Sequence, residues 1–193
     1  MKMNFTRVIA FFLLIALSVG FGFAFDAVAT LVEKNNYPIK AELADAVHQN
    51  AQNFGVPEAI LWALLCTGSD FASNAVSERG AIGLMQLTPD TFTHVTVEVL
   101  GEPAPDTGLL YEPTTNLRAG SAWISHLYQR YGVWEIAFAA YYIGTDTVDG
   151  WLLDSKYANE HGAFTGIPDQ DTANFVKSLT EATEYYTKLY YQS

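Results

Sequence analysis

The sequence predicts an all-α domain with little or no sheet, on three observations. Apolar residues recur at helical spacing in segment after segment, glycines and prolines fall between those segments as stops and starts, and nothing demands a substantial sheet. With 193 residues, half of them apolar, the chain is long enough for one ordinary domain with its own core.

Residues 25–38 form a linker in which Asn35-Asn36-Tyr37-Pro38 marks a break. A first helix is expected from about Ile39 to Phe54, with Leu43, Val47 and Ala51 on one face and Gly55 closing it. A second spans Pro57 to Cys66, starting on a proline whose missing N–H costs nothing in the first turn. Its Ile60, Leu61, Leu64 and Leu65 make an apolar stripe. Position 68, four residues past Leu64, projects beside that stripe, and Gly68 offers no side chain there. A loop with Asn74, Ser77, Gly80 and Gly83 then returns to Leu84-Met85-Gln86.

Pro89 and Asp90 start a third helix, weakened by the β-branched Thr91, Thr93, Val95, Thr96, Val97 and Val99. Residues 101–109 (GEPAPDTGL) read as a loop. A long amphipathic helix follows from Asn116 to Tyr131, carrying Leu117, Gly120, Ile124, Leu127 and Tyr131. Glu135 to Tyr142 is nearly all apolar, as expected of a helix buried on every side. Gly144, Asp146 and Gly150 read as a break before Trp151, and Lys156–Gly166 as a polar connection. The last helix runs from Asp169 to Tyr190, with Phe175, Leu179, Ala182, Tyr186 and Leu189 on one face.

At the N-terminus, Lys2 and Arg7 precede an apolar run over residues 8–24 that ends in Gly22-Phe23-Ala24. This pattern predicts export to the periplasm or cell envelope, residues 1–24 being either a cleaved signal peptide or an anchor in the inner membrane; the length favours cleavage. No cysteine follows the run, which excludes lipidation there. Formal charge is −11, and −13 once residues 1–24, with two basic and no acidic residues, are removed. So acidic a domain repels nucleic acid and anionic membrane surfaces, leaving residues 8–24 as the only membrane contact. Cys66 is the single cysteine, so no disulfide forms within the chain, and its neighbours Leu64 and Leu65 suit a buried thiol. His48, His94, His126 and His161 are scattered without metal-ligand spacing, and no metal or cofactor is expected.

Chemistry is carried by CTGSDFASNAVSERGAIGLMQLTP, from Cys66 to Pro89. It resembles the soluble, lysozyme-like lytic transglycosylase (SLT) family, whose pattern is Glu-Ser-x-Phe, Ala-Val-Ser and Gly-Ala-x-Gly-Leu-Met-Gln. Here Ser69 and Phe71, Ala75-Val76-Ser77 and Gly80-Ala81-Ile82-Gly83-Leu84-Met85-Gln86 match without a gap. Glu112 to Gly132 looks like the family's Asp-Pro-x-x-Asn-Ile-x-x-Gly helix, Ala137 to Gly144 like its Ala-Ala-Tyr-Asn-Ala-Gly, and Ile167 to Val176 like its Ile-Pro-x-x-Glu-Thr-x-x-Tyr-Val. Several motifs in order, over roughly residues 40–190, make the resemblance specific.

The resemblance implies an SLT domain over residues 39–193, with peptidoglycan glycan strands as ligand. One glutamate in that family protonates the glycosidic oxygen between N-acetylmuramic acid and N-acetylglucosamine and then takes the proton of the muramic 6-hydroxyl, giving a 1,6-anhydro product. One carboxyl group suffices because the sugar supplies its own nucleophile. Gly68 stands in that glutamate's place, and Tyr142 replaces the Asn after the family's Tyr. Ser77, Met85, Gln86, Tyr141 and Tyr142 are the substrate-binding candidates. Asp70, about 200° around a helix from position 68, and Glu78, read as a solvated partner of Arg79, are weak substitutes for the acid, and Asp70 is the better of the two.

Blander readings stand beside these. Gly68 can be a helix C-terminal glycine, Ser77 and Gln86 can serve loop hydrogen bonds, Tyr141 can be a core aromatic, and Tyr142 can be a stacking platform or a plug. Three functions follow: a glycan-binding relative, or scaffold of an envelope protein assembly, with cleavage lost or severely impaired; an active lytic transglycosylase using Asp70 or another carboxylate; and a purely structural domain whose cleft Tyr142 has closed.

Overall fold

A computed structural model describes residues 30, 32–159, 161, 162 and 164–192. The expected signal or anchor, residues 1–24, lies outside the described residues. Two compact units are distinguished, Met1–Pro38 and Ile39–Ser193. In the first, residues 32–36 are helical.

The regular structure of the second unit is helical, and among the described residues its only β-pairing is three isolated bridges, Val76 with Ile82, Ile82 with Leu87 and Ala158 with Phe164. The helices are α1 (Ala41–Phe54), α2 (Glu58–Ser69), α3 (Pro89–His94), α4 (Pro113–Tyr131), α5 (Trp134–Ile143), α6 (Thr145–Leu153) and α7 (Gln170–Tyr186). Helix α2 packs on α7, α4 on α5 and α1, and α5 on α7. Two helices are buried on nearly every face: α2 from Ala59 to Leu65 and α5 from Ile136 to Ala140. Neither has a polar side to show to water, so both are pinned by the surrounding helices.

Several elements differ from expectation. Pro57 caps α2 from outside its first turn, and the helix continues past Cys66 to Ser69. Helix α3 is α-helical for six residues only, and Val95–Val99 widens into a π turn. Thr107–Tyr111, read partly as loop, is a 3-10 helix. Thr145–Leu153, read as a break, is helix α6. Helix α7 ends at Tyr186 and passes into a π turn over Thr187–Tyr191. On its buried face Val176 takes the place assigned to Phe175. Cys66 is half-buried, and burial is the main cause raising its thiol pKa.

Candidate active-site cleft

The loop from Ala72 to Thr88 has almost no regular structure, yet it is tied down at every turn. Its principal clamp is Asn116, fully buried in α4. The Asn116 side chain accepts from the Met85 N–H at 2.7 Å and donates to the Ile82 carbonyl at 2.9 Å and the Leu110 carbonyl at 2.8 Å. One side chain thereby serves three backbone groups; the Ile82 carbonyl also accepts from the Leu87 N–H at 3.2 Å, so it is the Met85 N–H and the Leu110 carbonyl that depend on Asn116. Gly83 makes this approach possible: its φ is +80°, and a Cβ there would lie 2.3 Å from Asn116 Nδ2. From the other side, the buried Ser69 hydroxyl donates to the Leu84 carbonyl at 2.8 Å. The motif Gly-Leu-Met-Gln is thus held between α2 and α4.

Between α2, this loop and the C-terminal end of α5 lies an open cleft of about 650 Å³. Leu64, Thr67 and Gly68 form one wall; Ser77, Glu78, Arg79, Met85 and Gln86 come from the loop. Thr88 and Thr91 add hydroxyls, and Trp123, Tyr141, Tyr142 and Phe175 add aromatic surface. All five substrate-binding candidates from the sequence are therefore brought together. The cleft is not closed by Tyr142.

Gly68 is exposed on this wall. It is not the residue that ends α2. The left-handed turn falls on Asp70 (φ 49°) and Phe71 (φ 64°), whose N–H groups bond back to the Cys66 carbonyl at 3.2 Å and the Leu65 carbonyl at 3.1 Å. The reading of Gly68 as a helix C-terminal glycine is thereby overturned: its backbone does not require glycine. A Cβ at position 68 would touch only Gln86 Cγ, at an ordinary 3.6 Å. Gly68→Ala is expected to raise stability by up to about 1 kcal/mol, the helix-interior cost of glycine; chemical denaturation checks this.

The two substitute carboxylates change places. Asp70 serves as the cap of α2 and does not line the cleft, whereas Glu78 does, and among the described lining residues it is the only carboxylate. Arg79 is not its partner. The Arg79 guanidinium lies 4.8 Å over the Tyr142 ring and donates to the Tyr142 carbonyl oxygen at 3.4 Å. The Tyr142 ring also stacks on Phe175, with centroids 4.7 Å apart. Tyr142 is thus engaged by both Arg79 and Phe175.

The remaining candidates have double duties. Tyr141 donates its hydroxyl to the Met85 carbonyl at 2.6 Å, and burial raises its pKa far above the usual phenol range. Ser77 Oγ accepts from the Ala81 N–H at 3.1 Å. Gln86, at φ 50°, donates to the Gly83 carbonyl at 2.8 Å and the Ala75 carbonyl at 3.3 Å. Met85 is buried, and its Cβ would be 2.5 Å from any Cβ at Gly120, which explains glycine there. His94 and His126, remote in sequence, flank Trp123, both with centroids at 5.5 Å. Burial first, then His94 and Arg130, lower the His126 pKa. Among the described residues no group of three or more His, Cys, Asp and Glu is placed to hold a metal.

A helical domain folded around an open cleft, with its Gly-Leu-Met-Gln loop clamped from two helices, defines a lysozyme-like domain. The family model described as Transglycosylase SLT domain matches residues 45–164, and the chain belongs to that family. It is 33% identical over 134 residues to the soluble lytic murein transglycosylase of Escherichia coli K12, a match covering 68% of this chain and 21% of that protein. The crystal structure of the 70 kDa soluble lytic transglycosylase of Escherichia coli superposes with a TM-score of 0.70 at 27% identity, over 81% of this chain and 25% of that one. An inactive mutant of the Pseudomonas aeruginosa lytic transglycosylase Slt, in which a glutamate is changed to glutamine, superposes with a TM-score of 0.66 at 29% identity, covering 79% of this chain and 25% of that chain. The chain thus spans about a fifth of the length of the curated relative.

Proposed function

We propose that this protein is a peptidoglycan-binding, lytic transglycosylase-like protein of the cell envelope whose cleavage is lost or severely impaired because Gly68 stands where the family carries its acid. In this reading residues 39–193 are the SLT domain and residues 1–24 the export signal or membrane anchor. The carrying observation is the wall of the cleft at position 68, which is exposed, has room for a side chain and has no backbone need for glycine. That a single glutamate change accompanies inactivity in the Pseudomonas aeruginosa relative supports the same reading. Ligand binding does not depend on the acid: the cleft retains hydroxyls from Thr67, Ser77, Thr88 and Thr91, and a volume suited to a saccharide.

The full chain is expected to co-sediment with purified peptidoglycan sacculi and to be released by soluble muramyl glycan fragments. No retention would overturn the binding reading and favour a purely structural or scaffolding domain. Glu78 supports one alternative, an active enzyme with a relocated acid, because it lies in the cleft and Asp70 does not. That alternative requires any cleavage by the wild type to vanish in Glu78→Gln.

A further inference from the structure

Every cationic side chain but one is missing from the described lining of the cleft. Arg79 is that one, in a chain of formal charge −11. Two residues, Tyr142 and Asp169, bear on its position. The Tyr142 ring beneath it supplies a π face at 4.8 Å, and that ring stacks with Phe175 at 4.7 Å. Its Nη1 group reaches the Tyr142 carbonyl oxygen at the C-terminal end of α5, where the helix dipole favours positive charge. Asp169, the cap of α7, is close enough that Arg79 contributes to lowering its carboxyl pKa, though the Thr172 hydroxyl and N–H contribute more. No ion pair within 4.0 Å neutralises Arg79 among the described residues. A guanidinium has five N–H donors in a fixed fork. Among the described residues only one is used, which leaves donors of the fork available in the cleft.

We propose that Arg79, braced by Tyr142 and Phe175, is a specificity-determining residue that selects glycans carrying a free carboxylate at the sugar, as on the lactyl ether of a muramyl unit without a peptide. Two parallel N–H···O bonds from one guanidinium match a carboxylate and cannot be matched by the neutral amide formed when a peptide is attached. The inference rests on the glycan-binding reading above and sharpens it, from glycan strands in general to strands stripped of their peptides. It also accounts for Tyr142, whose ring and carbonyl hold the arginine; an asparagine there would lack the π face.

Isothermal titration with the full chain separates the possibilities, using a muramyl tetrasaccharide with free lactyl carboxylates and the same tetrasaccharide with those groups as methylamides. Arg79 is exposed, so the expected preference for the free acid is modest, about three- to tenfold at low salt, shrinking as salt screens it. Arg79→Gln is expected to bind both at the amide's wild-type affinity, and Arg79→Lys to keep part of the preference, being charged but not planar. The amide affinity serves as the internal control for a damaged cleft. Equal wild-type affinity for acid and amide would overturn this inference while leaving glycan binding intact, and so would a preference that survives in Arg79→Gln. Failure to bind either saccharide would overturn the glycan-binding reading and this inference with it.

Discussion

Gly68→Glu is expected to release 1,6-anhydro muropeptides from peptidoglycan sacculi at a rate about 100- to 10,000-fold above wild type, the usual yield of a positioned general acid–base group. The sterics permit it, because a Cβ at 68 meets only Gln86 Cγ at 3.6 Å and the residue sits within the last turn of α2. The chemistry permits it too. A single carboxyl in the cleft can protonate the glycosidic oxygen and then accept the proton of the attacking 6-hydroxyl, with no second protein carboxylate to be supplied. Gly68→Gln is the matched control: it fills the same space without a titrating group and is expected to bind and not to cleave. Mass spectrometry of the soluble fraction reads the result. A folded, sacculus-binding Gly68→Glu that releases nothing would mean that the missing acid is not sufficient to explain the proposed loss of cleavage and would turn attention to Tyr142 and its arginine.

Asn116→Ala is expected to be the most damaging single substitution around the cleft. It deletes three hydrogen bonds at once and leaves the Met85 N–H and the Leu110 carbonyl without their partner inside the protein, while the Ile82 carbonyl keeps only its bond from the Leu87 N–H. Each such orphaned group costs roughly 1–3 kcal/mol, and partial relaxation brings the total to about 3–5 kcal/mol. For a domain of this size that is a fall of roughly 6–20 °C in Tm, measurable by circular dichroism. Because Asn116 holds the Gly-Leu-Met-Gln loop, sacculus binding should weaken even below the new transition. An unchanged Tm would mean that water takes over the freed groups.

The helices carrying the site were legible because their patterns agree with their burial. The apolar stripe of α2, the long period of α4 and the uniformly apolar α5 each allow one kind of packing. Helix α6 was not legible, since Gly144, Asp146 and Gly150 are all breakers by propensity. It forms nonetheless around the buried Val148, a tertiary contact that overrides weak local preference. The π turn at Val95–Val99 follows from the β-branched run that already made α3 a poor helix. Within the site, the gathering of Ser77, Met85, Gln86, Tyr141 and Tyr142 could be read from the motifs. The work of Asn116 could not: an asparagine near a helix start reads as a cap, and its partners Ile82 and Met85 lie more than 30 residues away. That Glu78 rather than Asp70 lines the cleft was hidden for a related reason. Helix α2 runs three residues past its expected end at Cys66, so Asp70 becomes the left-handed cap and is not among the residues lining the cleft, while the loop carries Glu78 into it.

The central claim is that the cleft binds glycan strands and does not cut them. The most direct measurement is prolonged incubation of the wild-type chain with sacculi at high enzyme loading, followed by mass spectrometry of the soluble fraction for 1,6-anhydromuramyl ends. Binding with no anhydro products above those of untreated sacculi is the expected result; robust release of such products by the wild type would contradict the claim.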